Sequence, residues 1–331
     1  MKRKVLLVSS ANPYPVVTSG CERLVNDYES GVFSAFDVYF LAAQPETWAP
    51  LVLFREGAPV MDSNFDELPS HDFAFVFFVG FKSNDFTRRL AAALPSFCLT
   101  DHYPNDDLPD GVFQGILSHR LDAPREDVLL CGGSYNSRIF YPDRQTEDIV
   151  LCVGRIHQDK NQLELVTRYA DRIYRRHGLP LYLAGGVDDR EYYSRVRAHI
   201  DGKAIQSTVD PARPDSADGW CTSQQIARLC NRARFFVTAS PRESFGIALT
   251  EALACGTTCV LNGCFTGFNP AELEAHVYGN IRGKRGEILD LLHQAFNLDI
   301  RRDGSEWVKK YSLESATSQQ MGFIQERLRK R

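Results

Sequence analysis

The stretch Thr238-Ala-Ser-Pro-Arg-Glu-Ser-Phe-Gly-Ile-Ala-Leu-Thr-Glu-Ala-Leu-Ala-Cys-Gly-Thr257 combines a strand exit, a helix entry and two carboxylates. Before it, Ala233-Arg-Phe-Phe-Val-Thr238 is a short aromatic and β-branched run that predicts a buried strand, closed by the turn residues Ser240 and Pro241. After it, the segment from Phe245 to Cys255, rich in Ala and Leu, predicts a helix. Gly256 supplies a left-handed residue just past its end, and Thr258-Cys-Val-Leu261 reads as the next strand. Strand, loop, helix and strand in this order make a βαβ unit, whose loop lies at the carboxyl edge of a parallel sheet, where open α/β folds bind ligands. The N–H groups near Ser244, Phe245 and Gly246, at the positive end of the helix dipole, suit a phosphate. Glu243 stands on the loop and Glu251 about two turns further on, too far apart to serve one phosphate, so the two carboxylates have different tasks.

A chain of 331 residues exceeds what one core usually organises, which predicts two α/β domains. With 44% apolar and 24% charged residues it has the composition of a globular protein, neither disordered nor rich enough in apolar runs for a membrane span. A net charge of −4 provides no overall basic field for nucleic acid. The basic end, Arg327-Leu-Arg-Lys-Arg331, reads as solvated, with peripheral contact to acidic lipid possible but not indicated. The apolar core of the opening Met1-Lys-Arg-Lys-Val-Leu-Leu-Val is too short for a signal peptide and reads as a first strand. Nine cysteines occur singly, with no Cys-x-x-Cys pair, which argues for reduced thiols in the cytoplasm and against a zinc site.

The same strand-then-loop architecture recurs along the chain. Lys4–Ser9 is an apolar strand, and Thr18-Ser-Gly-Cys-Glu-Arg then opens a helix in which Ser19 is a plausible cap and Gly20 lets backbone N–H groups approach a phosphate. Asp37–Ala42, Phe73–Val79 and Ser96–Thr100 read as further strands, with a helix over Asp85–Ala93. The last of these strands runs into Asp101-His102, which places both residues at the carboxyl edge, either one facing a ligand. A linker is expected at 142–148, after which Ile149–Val153 is a strand followed by Gly154, Arg155 and Lys160, two cations flanking a turn, and a helix to about His177. Leu179–Ala184 exits into Gly185-Gly186, the segment 210–219 reads as an ordered loop or lid, and Ser223 as the cap of a helix to Asn231.

Glu243-Ser-Phe-Gly-Ile-Ala-Leu-Thr-Glu251-Ala-Leu-Ala-Cys-Gly256 resembles the Glu-x7-Glu signature of retaining family 4 glycosyltransferases of the GT-B fold. Other segments are similar to the same family. Ser19-Gly20-Cys-Glu-Arg stands where the family has Gly-Gly-x-Glu-Arg, and Gly154-Arg155 with Lys160 fits its Gly-Arg and Lys pair. Leu129–Pro142 resembles the segment closing the first domain, with Cys131 or Gly132 where Asn is usual, and the chain from Trp307 resembles the family's closing helix.

The resemblance implies two Rossmann-like domains facing across a cleft, over 1–145 on the acceptor side and 146–310 on the donor side, with a helix over 311–331 returning to the first. It implies transfer of a sugar from a nucleotide-diphosphate sugar to an acceptor hydroxyl with retention of configuration. The acceptor, a saccharide, a lipid-linked or a small molecule, stays open. His102, Arg155, Lys160 and Glu243 would be catalytic, and Gly20, Gly154, Ser244, Phe245, Gly246, Ile247 and Glu251 would bind the donor. No Asp-x-Asp motif occurs, which fits a mechanism in which Arg155, Lys160 and the helix terminus, rather than a metal, stabilise the leaving diphosphate, and no cofactor is expected. A nucleotide-sugar epimerase of GT-B-like fold and a non-catalytic nucleotide-sugar-binding module remain alternatives.

Overall fold

The computed structural model describes residues 2–9, 25, 28–42, 51–55, 58–63, 72–80, 84–100, 108, 111–119, 125–131, 133–143, 145–209, 221–283 and 285–330. They fall into two compact units, one of residues 1–134 with 313–331, the other of residues 135–312. Both are α/β. The expected features at Ser19, Gly20, Asp101, His102, Gly132 and 210–219 lie outside the described residues.

The first unit is built on β1 (Lys4–Ser9), β2 (Asp37–Ala42), β3 (Leu51–Arg55), β4 (Ala58–Ser63), β5 (Phe73–Val79), β6 (Ser96–Thr100), β7 (Gly115–Ser118) and β8 (Val128–Leu130), in the order β4-β3-β2-β1-β5-β6-β7-β8. Pairing is parallel except at β3, which runs antiparallel to both neighbours. The central strands are continuous apolar runs because both faces are covered. On one face Leu6, Val8, Val76 and Phe78 pack with Leu90 and Ala91 of the helix Asp85–Ala93. On the other, Phe75 and Phe77 meet Phe33 edge-on at 5.5 and 5.1 Å. That helix starts where Asn84 accepts from the Thr87 N–H and Thr87 accepts from the Asn84 N–H, a reciprocal cap. The final helix, Leu313–Arg329, belongs to this unit and buries Ala316, Gln320 and Ile324 at successive four-residue steps. Gly115 leaves room for its Phe323 ring, which a Cβ there would meet at 2.6 Å.

In the second unit, β9 (Glu147–Val153), β10 (Leu181–Ala184), β11 (Ile205–Ser207), β12 (Ala233–Thr238), β13 (Arg242–Glu243), β14 (Thr258–Asn262), β15 (Cys264–Phe265) and β16 (Tyr278–Asn280) form a parallel sheet ordered β11-β10-β9-β12-β14-β16 and a short pair, β13-β15. Strand alternation sorts its residues between two cores. Ile149, Leu151 and Phe236 face the helices Ser223–Arg232 and Ile247–Ala254, while Val150, Cys152, Phe235 and Val237 face Leu165, Ile173, Ile288 and Leu292.

Three local expectations are corrected. The unit begins at Tyr135, ahead of the linker expected at 142–148, because Tyr135 and Phe140 are buried in its core. The cap of the helix Ser223–Arg232 is Thr222, not Ser223, because only Thr222 has a Gln three residues on to complete the reciprocal cap with Gln225. The helix expected to run to His177 is broken into Gln162–Thr167, a π-helical turn Ala170–Tyr174 and Arg175–His177, closed by Gly178 in the left-handed region at φ 69°.

At the end of that run His177 Nε2 and His293 Nδ1 are 2.7 Å apart, and the His177 ring lies 4.2 Å from Phe296. Burial, then the His293 ring and the Arg176 and Arg234 charges, hold the His177 imidazole below its ordinary value. A depressed pKa means the unfolded chain binds the proton more readily. The stability His177 contributes is therefore complete above the ordinary imidazole value and is lost as pH falls through the lower folded value. Melting temperature should decrease from pH 7.5 to 5.5, and His177→Phe, which keeps the ring against Phe296, should flatten that dependence.

Candidate functional site

The strand order of the second unit reverses between β9 and β12, and the crevice outside the carboxyl ends of two such strands is where doubly wound sheets bind ligands. The loop after β9 passes Gly154 and Arg155 and makes a 3-10 turn, Gln158–Lys160. His157 caps this turn by accepting from the Asp159 N–H at 3.2 Å, and Asn161 ends it in the left-handed region at φ 53°. The Asn161 amide donates to the Ala239 carbonyl just past β12, and Gln162 donates to the Arg155 carbonyl at 2.8 Å. The turn is thus anchored on both sides of the reversal, and it carries Lys160 to Glu243: Nζ and Oε1 are 2.6 Å apart. With side chains 26% and 17% exposed, this pair is less screened than a surface ion pair.

Glu243 is held through its backbone. β13 runs parallel to β15, the Pro241 carbonyl accepts from the Cys264 N–H at 3.0 Å, the Glu243 carbonyl from the Thr266 N–H at 3.1 Å, and the Ser244 carbonyl from the Gly267 N–H. Phe245, buried, stacks on Phe268 at 4.5 Å and meets Tyr311 edge-on at 5.3 Å, so the loop is pinned from beneath by rings. The following helix starts at Ile247, not Phe245 as expected, because Gly246 adopts the left-handed conformation at φ 74°, ψ 68° and breaks the helical run. Gly246 has no side chain to cap that helix, whose positive end points at the Glu243 loop.

Arg155 is paired with Asp188, a residue that loop chemistry alone did not single out. The loop after β10 folds against the loop after β9: the Ala184 carbonyl accepts from the Gly154 N–H at 2.9 Å, the Gly186 carbonyl from the Ile156 N–H at 2.8 Å, and Ile156 bridges Val187. Asp188 is set by its own N–H, which donates to the Ile156 carbonyl at 3.2 Å. The Gly185-Gly186 exit was the available signal; a Cβ on Gly185 would sit 2.2 Å from the Gly154 carbonyl oxygen. Glu251 is buried in the second turn of the helix Ile247–Ala254. There its charge, after the Cys255 thiol and burial, helps push the Cys230 thiol up.

The structure therefore brings Lys160, Glu243 and the Ser244–Ile247 helix start together and places Gly154 and Arg155 beside Asp188. Cys152, on β9 near the ion pair, is no candidate nucleophile: burial pushes its thiol to about 12. A cavity of about 150 Å³ opens at the opposite, amino-terminal edge of the sheet, lined by Cys230, Arg234, Cys255, Thr258 and Arg302. Its charges are matched internally, Arg234 donating to Asp148 and Asp299 at 2.8 Å each and Arg302 to the Glu274 and Val277 carbonyls.

Residues 136–277 match the family model described as glycosyl transferases group 1. No curated protein matches the chain. Among solved structures it is similar to a sucrose-phosphate synthase from Thermosynechococcus elongatus, at 15% identity over 99% of this chain and 100% of that one, TM-score 0.68. It is also similar to a glycosyltransferase from Rickettsia africae ESF-5, at 13% identity over 100% of both chains, TM-score 0.67. A third is a pneumococcal O-GlcNAc transferase in complex with UDP and GlcNAc, at 10% identity over 88% of this chain and 70% of that one, TM-score 0.57. At such identities the likeness shows the fold, which is of the GT-B type. Among the described residues no helix is long and apolar enough to cross a membrane.

Because the Gly185 site is walled by backbone, Gly185→Ala should lower the stability of the second unit by about 2–3 kcal/mol, as overpacking does. Urea unfolding followed by fluorescence checks this.

Proposed function

We propose that the protein moves a sugar from a nucleotide-diphosphate sugar to an acceptor hydroxyl, with retention of anomeric configuration and without a metal. The match of residues 136–277 to group 1 glycosyl transferases supports the transferase reading; the finer reading is supported above all by one observation. A cation and a carboxylate, Lys160 and Glu243, meet at 2.6 Å at the strand reversal, beside an uncapped helix start. That corner can receive a diphosphate and, next to it, the hydroxyls of a sugar.

In this reading Arg155, Lys160 and the helix terminus stabilise charge on the leaving diphosphate, taking the part a metal plays elsewhere. As the glycosidic bond breaks, its electron pair stays with the leaving phosphate oxygen, which takes the proton of the acceptor hydroxyl attacking from the same side. Glu243 accepts from sugar hydroxyls beside the carbon that becomes cationic, Glu251 from the ribose hydroxyls, and His102 contacts the transferred sugar. Gly20, Gly154, Ser244, Phe245, Gly246 and Ile247 supply backbone to the donor. The eight described cysteines are all free thiols, which supports a reducing, cytoplasmic setting.

Donor sugars of several bases, incubated with saccharide and lipid-linked acceptors, should release nucleotide only when an acceptor is present. NMR of the product should show the donor's anomeric configuration. Turnover should persist in excess EDTA; its loss, with recovery on adding Mg²⁺ or Mn²⁺, would overturn metal independence. Lys160→Ala should lower kcat by roughly 100- to 1000-fold, the usual effect of removing one electrostatic stabiliser, with partial rescue in Lys160→Arg. Glu251→Gln should weaken nucleoside diphosphate binding about tenfold in calorimetry, because a charge-assisted bond is lost from the bound state.

A further inference from the structure

Both cations that this reading gives to the diphosphate are occupied by carboxylates of the protein itself. Lys160 is held by Glu243, in a half-buried pair. Arg155 is held by Asp188, in a pair about two-fifths exposed. Each pair joins two loops at the same sheet edge, and in each the carboxylate stands where an anion would be bound. A diphosphate needs the same N–H donors, so it cannot simply be added to this arrangement.

We infer that Glu243 and Asp188 are counter-ion placeholders, which the two phosphoryl groups of the donor displace from Lys160 and Arg155. The inference rests on the nucleotide-sugar reading and deepens it in two ways. First, Glu243 becomes free to accept from sugar hydroxyls only when Lys160 has passed to the phosphate, so diphosphate binding prepares the sugar subsite. Second, the exchange discriminates between ligands. A diphosphate offers one phosphoryl group for each carboxylate displaced, while a nucleoside monophosphate releases one cation at most, and an uncharged nucleoside neither. The spacing of Glu243 and Glu251 alone would leave Glu243 without influence on nucleotide affinity; the ion pair makes it an internal competitor.

The test is calorimetric titration of UDP, GDP and ADP, and of UMP, GMP and AMP, into wild type, Glu243→Gln, Asp188→Asn, Lys160→Ala and the double variant Lys160→Ala/Glu243→Gln. For the base that binds wild type best, Glu243→Gln should bind the diphosphate roughly tenfold tighter, since the amide no longer competes as a charge for a half-buried lysine. Asp188→Asn should tighten it only about threefold, as befits a more exposed pair. The gain from Glu243→Gln should vanish when Lys160 is already alanine, a coupling that a merely structural change at Glu243 would not produce. Preference for diphosphate over monophosphate should narrow in both single carboxylate variants.

Unchanged or weaker diphosphate binding by Glu243→Gln, or an equal gain without Lys160, overturns the inference while leaving the donor reading intact. If no nucleotide binds wild type or any variant, the donor reading fails and takes the inference with it. Thermal unfolding of each variant accompanies the titrations. Should Glu243→Gln not fold, Asp188→Asn and its combination with Arg155→Ala carry the same test.

Discussion

A parallel sheet stops at its carboxyl edge with backbone N–H and carbonyl groups still seeking partners, and the whole site follows from how the second unit answers them. The loops leaving β9 and β10 bond to one another, as do the segments after β12 and β14. Because carbonyls, N–H groups and the side chains of His157, Asn161 and Gln162 do this work, the loops that carry Lys160, Arg155, Asp188 and Glu243 do not depend on those four side chains to hold their course. The side chains are then free to change partners. The close backbone approach has a compositional cost: any side chain at Gly185 would press on the Gly154 carbonyl.

The rings beneath the loop divide the labour further. Phe245, Phe268 and Tyr311 are mutually within 5.4 Å, and Phe268 leans on Trp307 at 5.9 Å. Contacts of this kind give stiffness without charge, so they do not alter the electrostatics of the ion pair above them. A half-buried Lys–Glu contact on a stiff base is a sensitive element, since its desolvation cost nearly offsets its attraction and a third charge can tip the balance.

Several buried strands were legible to the residue, because runs of five to seven mostly apolar, β-branched or aromatic residues mark them: β1, β2, β5, β6 and β12 stand where the sequence places them. Short or edge strands were not. β7, β8, β11 and β16 are three or four residues each, below the length at which alternation shows, and β3 and β4 form an antiparallel addition beside β2. The helix start at Ile247 and the cap at Thr222 differ by one or two residues from expectation for conformational reasons that composition hides. In the candidate site, the residue types around Gly154 and Glu243 drew attention to two loops that the structure joins through Lys160 and Glu243. That Lys160 would reach Glu243 and Arg155 would reach Asp188 was not readable, since both contacts depend on how separate loops fold back.

The chain enters the second unit at Tyr135 and leaves it at Ser312, and these two residues form a parallel bridge, with the Tyr135 N–H donating to the Tyr311 carbonyl at 3.2 Å. Topologically the whole unit is therefore an insertion between two adjacent stems, and the helix Leu313–Arg329 resumes the first unit's core as though nothing had intervened. Entry and exit therefore lie side by side, so the first unit's chain is interrupted at one place only. The family match, confined to 136–277, falls wholly inside the inserted unit.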